Sequence, residues 1–87
     1  MKVRFEYNYT MSFNFEYSEV NLEGKGEWEI DEELLASEYS IKSEECTIQN
    51  FIIEEFEYLT ELRWDCCKFN VDDLNKLIKF IATFNEN

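Results

Sequence analysis

Residues 2–17 alternate without interruption. Val3, Phe5, Tyr7, Tyr9, Met11, Phe13, Phe15 and Tyr17 fall on one face, and Lys2, Arg4, Glu6, Asn8, Thr10, Ser12, Asn14 and Glu16 on the other. Period-two alternation predicts a half-buried antiparallel sheet, with one face on a core and one in water. A single strand of that length would span about 50 Å. The pattern therefore predicts either one long bent strand or two strands joined at Asn8 to Thr10. After Tyr17 the phase flips, and Val20, Leu22, Trp28 and Ile30 become the apolar set. Ser18-Glu19 then reads as a bulge or a turn. Gly24-Lys25-Gly26 reads as a three-residue hairpin loop, because glycine supplies the positive φ that such loops use. That hairpin would oppose Leu22 to Trp28 and Val20 to Ile30. It would also oppose Glu23 to Glu27 and Glu19 to Asp31, and directly opposed like charges destabilise a strand pair. A rival reading turns at Ser18-Glu19-Val20-Asn21 and runs one strand over residues 22–30. In that reading the opposed acids vanish.

The second half changes period. Asp31-Glu32-Glu33-Leu34-Leu35-Ala36 can open a short helix. Ser43 reads as the cap of a longer one, with Glu44 and Glu45 in its first turn, where the helix dipole favours anions. Its apolar face would be Ile48, Phe51, Ile52, Phe56, Leu59 and Leu62, at spacings of three and four. Ile53 and Tyr58 fall off this stripe, and a strand through Phe56 to Phe69 stays open. The last helix is clearer. Asn70 caps it, Asp72 and Asp73 occupy its first turn, and Leu74, Leu77, Ile78, Ile81 and Phe84 form its apolar face, with Lys76 and Lys79 further along. The expected architecture is one α+β domain over residues 1–87. Its antiparallel sheet comes from the first 31 residues or so and is covered on one face by two helices from the rest.

Composition adds a core of large rings and a strong charge. The 87 residues include eight Phe, five Tyr and two Trp, enough apolar material to argue against disorder. Net charge is −12. Residues 5–62 carry 16 acids against Lys25 and Lys42, while residues 63–87 are balanced. Such a field repels nucleic acid and anionic membrane and steers basic partners. No basic groove surrounds the aromatic stripe, so it reads as core and not as a base-stacking platform.

Candidate chemistry is sparse. There is no His. Cys46, Cys66 and Cys67 form neither a disulfide framework nor a zinc motif, and they suit a reducing cytoplasm. The N-terminus lacks the apolar run of a signal peptide, and no window has the length of a membrane span. No calcium-loop spacing occurs. Cys66-Cys67 has no base to activate it, and Asp72-Asp73 reads as capping. The expectation is a non-enzymatic protein with no metal and no cofactor.

The acids remain. Under the glycine hairpin, Glu19, Glu23, Glu27, Glu29 and Asp31 share the face opposite Trp28, a quasi-regular anionic lattice that helical Glu54, Glu55, Glu57 and Glu61 would extend. A protein that grips phosphates with Lys and Arg would be drawn to it. In size and charge the chain is similar to phage-encoded anti-CRISPR and anti-restriction inhibitors, some of which imitate nucleic acid; no motif is shared and no residue carries over. The opposed acids and the charge of residues 5–62, with this likeness in composition beside them, lead to the expectation of an inhibitor, in a host cytoplasm if phage-encoded, that occupies the basic groove of a nucleic-acid-handling protein. Two other readings stand beside it. One is a regulatory or immunity-type binder with an aromatic hot spot at Tyr39, Tyr58 or Trp64. The other is a domain whose acidity serves solubility alone.

Overall fold

A computed structural model of the chain describes the backbone of residues 1–13 and 18–85, and the side chains of residues 1–10 and 19–84. The order of elements is β1 (Lys2–Phe13), β2 (Ser18–Glu29), α1 (Glu32–Lys42), α2 (Ile48–Thr60), β3 (Cys67–Phe69) and α3 (Val71–Ala82). Short 3-10 turns occupy Trp64–Cys66 and Thr83–Asn85. The strands form one antiparallel sheet in the order β2-β1-β3. The fold is α+β, with three helices where the sequence pattern predicted two.

The glycine hairpin is not formed. β2 runs unbroken through Gly24, Lys25 and Gly26 and pairs with β1 along its whole length, from Lys2 opposite Glu29 to Phe13 opposite Ser18. Neither glycine has positive φ. The rival turn at Ser18 to Asn21 and the bulge at Ser18-Glu19 also fail, since all four residues lie in β2. β1 is one strand, so no joint forms at Asn8 to Thr10. The expected alternation at Asn14 to Tyr17 lies outside the described residues. The phase flip after Tyr17 has a simple cause. Odd positions of β1 face even positions of β2, so Val3 meets Trp28 and Tyr9 meets Leu22. The two runs are the two halves of one hairpin.

The glycines serve a different purpose. Gly26 lies opposite Phe5 and Gly24 opposite Tyr7. A Cβ on Gly26 would meet Phe5 Cζ at 2.7 Å, and one on Gly24 would run into the Tyr7 ring. Each glycine lets an aromatic ring lie flat across the neighbouring strand.

Helix ends follow local chemistry. Asp31 caps α1, accepting from the N–H groups of Glu33 and Leu34 at 3.1 and 3.2 Å. Thr47 caps α2 through Asn50 N–H at 3.1 Å. Ser43 instead follows the end of α1, which leaves Glu44 and Glu45 between helices rather than in a first turn. Thr47 and Ser43 are both competent caps by residue type, and α2 begins after Thr47. α2 stops at Thr60, with Glu61 in the left-handed conformation at φ 60°. Leu59 is exposed, and Leu62 lies beyond the helix. Asn70 caps α3 through Asp73 N–H at 3.0 Å, as its pattern predicts.

The core is one cluster that draws on every layer. Val3, Phe5 and Trp28 from the sheet meet Leu35 and Tyr39 of α1, Phe51, Ile52 and Phe56 of α2, and Leu77 and Ile81 of α3. Phe56 is fully buried, with ring centroids 5.1 Å from Phe5, 5.4 Å from Trp28, 5.6 Å from Trp64 and 4.9 Å from Phe69. Cys67 packs half-buried against this cluster, and burial raises its thiol pKa. All three cysteines are free.

The molecule is elongated, with extents of 56 × 26 × 17 Å and a radius of gyration of 15.4 Å. A compact chain of this length would give about 12 Å. The difference comes from the hairpin. β3 reaches only as far as Tyr7 along β1, so residues 8–13 and 18–23 project as a two-stranded arm.

Candidate interaction surfaces

The polar face of the sheet is not an anionic lattice. The β1–β2 register sets Glu29 opposite Lys2, Glu27 opposite Arg4 and Glu6 opposite Lys25. Lys2 Nζ lies 3.3 Å from Glu29 and 3.5 Å from Glu27, and Lys25 lies 3.7 Å from Glu6. The pairing with Glu29, more than that with Glu27, raises the Lys2 pKa. β3 adds Lys68 beside Glu6. Glu23 lies opposite Asn8 and Glu19 opposite Ser12. The expected opposed pairs, Glu23 with Glu27 and Glu19 with Asp31, do not exist. Asp31 caps a helix.

Glu54, Glu55 and Glu57 do not extend that face either. α2 packs on the apolar side of the sheet, through Phe51 and Phe56, so the pleat separates its acids from Glu19, Glu23, Glu27 and Glu29. Glu57 is engaged locally, its Oε2 accepting the Trp64 N–H at 2.9 Å. The proposed residues therefore lie on two surfaces, and the sheet surface is charge-mixed.

Arg4 and Asp73 form a junction that the sequence pattern did not reveal. Arg4 Nε donates to Asp73 Oδ2 at 2.7 Å and Nη2 to Oδ1 at 3.1 Å, while the Arg4 backbone N–H reaches Oδ2 at 3.1 Å. The Arg4 side chain and backbone bonds hold the Asp73 carboxyl at about 2, below its usual range. The two residues are 69 positions apart, and the bidentate geometry ties α3 to β1.

The acidic excess is concentrated on α1, α2 and their connections. Residues 31–62 carry ten acids and one base, Lys42. Between the two helices lies a groove lined by Glu38, Ile41, Lys42, Glu54, Glu55 and Tyr58. Ile41 is 78% exposed and Tyr58 81%. Of the three expected aromatic anchors only Tyr58 is this accessible. Tyr39 is buried against Phe51, and Trp64 is stacked on Phe69 at 4.1 Å. Sequence periodicity had left Tyr58 off the apolar stripe, and that exclusion was the available signal for its exposure.

At the floor of the groove Glu55 is buried. Lys42 Nζ stands 3.8 Å away, and Glu38 is a second carboxyl neighbour. Burial first, then the bond and charge of Glu38, push the Glu55 pKa up to about 7, against the opposing pull of Lys42. The folded state thus holds this proton more tightly than the unfolded chain, whose value is 4.5. Ionisation of Glu55 costs stability as pH rises from about 4.5 through about 7. Glu55→Gln is expected to melt higher than the parent above pH about 7, with the two converging below about 4.5. Thermal melts across that range check this; a constant offset between the proteins would refute it.

Among the described residues no group of three or more potential metal ligands converges, and no helix is long and apolar enough to cross a membrane. No protein-family model, no curated protein and no solved structure matches the chain.

Proposed function

We propose that this chain is a non-enzymatic acidic binding protein that captures a basic protein on its α1–α2 face. Its target class is a protein that handles nucleic acid, and its effect is inhibition by occupying the basic groove. The observation that carries this reading is the pair Ile41 and Tyr58, 78% and 81% exposed on a stretch with a net charge of −9. Apolar anchors within a mainly acidic rim, in which Lys42 is the one base, suit a contact that is steered by charge and held by burial. The sheet face supports the reading less, because Lys2, Arg4, Lys25 and Lys68 stand among its acids.

Binding of the captured host protein to variants tests the assignment. Tyr58→Ala combined with Ile41→Ala is expected to cost about 2 kcal/mol or more, roughly 30-fold in affinity. Glu23→Lys, Glu27→Lys and Glu29→Lys together should leave the affinity within a few-fold. The reverse pattern, with loss only on sheet-face reversal, would move the contact to the sheet and restore the mimicry of a phosphate lattice.

A further inference from the structure

The floor of the α1–α2 groove holds a carboxyl with more acid around it than base. Glu55 is 6% exposed, and the charged and titratable side chains that line the groove with it are Glu38 and Lys42 of α1 and Glu54 and Tyr58 of α2. Lys42 Nζ stands 3.8 Å from Glu55 Oε1, outside hydrogen-bond distance. Among the described residues it is the one cation paired with Glu55. One ammonium thus faces three carboxyls. Burial first, and Glu38 second, keep a proton on Glu55 up to a pH of about 7. The groove measures about 480 Å³ and carries Ile41 and Tyr58, the two exposed anchors, on its walls.

We propose that this groove seats an arginine side chain of the captured protein against Glu55 and Glu38 in exchange for a proton, so that capture strengthens as pH rises toward neutrality. The inference rests on the reading of the α1–α2 face as the capture surface. Charge selects the occupant. An anionic group would meet three carboxyls, and an apolar one would bury Glu55 further with no added partner. A guanidinium brings the missing positive charge, donates to carboxylates from a planar fork, and stacks on an aromatic ring such as that of Tyr58. A lysine would place a second compact ammonium beside Lys42. As the guanidinium enters, the Glu55 O–H bond breaks and its proton passes to solvent. Two carboxylates, Glu38 and Glu55, then face two cations at the floor. Proton and arginine compete for one carboxyl, and affinity follows the ionised fraction of Glu55.

A short peptide alternating arginine and leucine is the probe, titrated into the full chain with the nuclear magnetic resonance signals of Ile41 and Tyr58 as the local readout. Its affinity is expected to rise about tenfold or more from pH about 5.5 to pH about 7.5. Glu55→Gln, a permanent stand-in for the protonated carboxyl, should hold the low-pH affinity of the parent at every pH. Glu38→Gln should move the rise to lower pH, since it removes a carboxyl that helps keep the proton on Glu55. The same peptide with citrulline for arginine should bind more weakly and without pH dependence. A parent affinity that does not change with pH, a change that Glu55→Gln retains, or equal binding of the citrulline peptide overturns the proposal. Tyr58→Ala with Ile41→Ala, measured at pH about 7.5, separates failure of the exchange from failure of the face. Loss of affinity there, with no pH effect in the parent, keeps the capture face and rejects the exchange. An unchanged affinity rejects both.

Discussion

Phe56→Ala is expected to cost about 3–5 kcal/mol of folding stability. The ring is fully buried and contacts one aromatic residue on each of the three strands, Phe5, Trp28 and Phe69, besides Trp64. These contacts are edge-on, with interplanar angles between 69° and 86°. Edge-to-face pairs of this kind add to the area term. Phe5, Trp64 and Phe69 cannot collapse into the vacated space without disturbing their other ring contacts, so much of the cavity persists. A domain of this size has about 5–15 kcal/mol in total, so the variant stands close to unfolding at room temperature. Urea unfolding gives the value directly. Leu59→Ala, on the exposed side of the same helix, should fall within about 0.5 kcal/mol of the parent. Equal losses in the two variants would show that Phe56 does not join the helix to the sheet.

Gly26→Ala is the second large effect, at about 1–3 kcal/mol from overpacking. The added methyl would sit 2.7 Å from Phe5 Cζ. Phe5 cannot yield, because Phe56 and Phe69 hold it at centroid distances of 5.1 and 5.9 Å. Gly24→Ala meets the outer end of the half-buried Tyr7 ring, which can swing, so its cost should be smaller. The cause is separable by a double-mutant cycle. Phe5→Leu clears the space above Gly26, so the pair should cost less than the sum of the single changes. A turn role for Gly26 would show strict additivity. Chemical denaturation of the four proteins measures the coupling.

These two residues also show where the pattern of the chain was legible. Phe56 belongs to a stripe of spacing three and four that marked it for the core, although Leu59 of the same stripe is exposed. Gly26 was misread because glycine has two uses with one local signature, positive φ in a turn and absence of a Cβ under a ring. Only the identity of the opposing strand separates them. The same holds for Ser43 and Thr47, two residues of equal local competence as caps, of which the folded chain uses Thr47 for α2.

The candidate surface was legible in part. Net charge and its concentration in the first two thirds of the chain were plain, and of the three aromatic residues named as exposed anchors, Tyr39, Tyr58 and Trp64, only Tyr58 is strongly exposed. The grouping of Glu19, Glu23, Glu27, Glu29 and Asp31 into one lattice depended on a strand pairing that does not form. With β1 as the partner, Arg4 faces Glu27 where Glu23 was expected, and Glu23 and Glu19 face Asn8 and Ser12.

By itself the sequence determined what local periodicity determines. It set the alternation of the first two strands, most of the apolar side of α2, the apolar side and cap of α3, and that the class is α+β, because alternation and helical spacing are properties of adjacent residues. The tertiary structure alone decided partners. Parity states that odd residues of β1 can face even residues of β2, but it does not state that they do. The neutralised sheet face, the Arg4–Asp73 junction across 69 positions, and the rings lying over Gly24 and Gly26 all depend on that choice. The physical reason is that pairing energy resides in contacts between segments, and a residue carries no local mark of the segment it will meet.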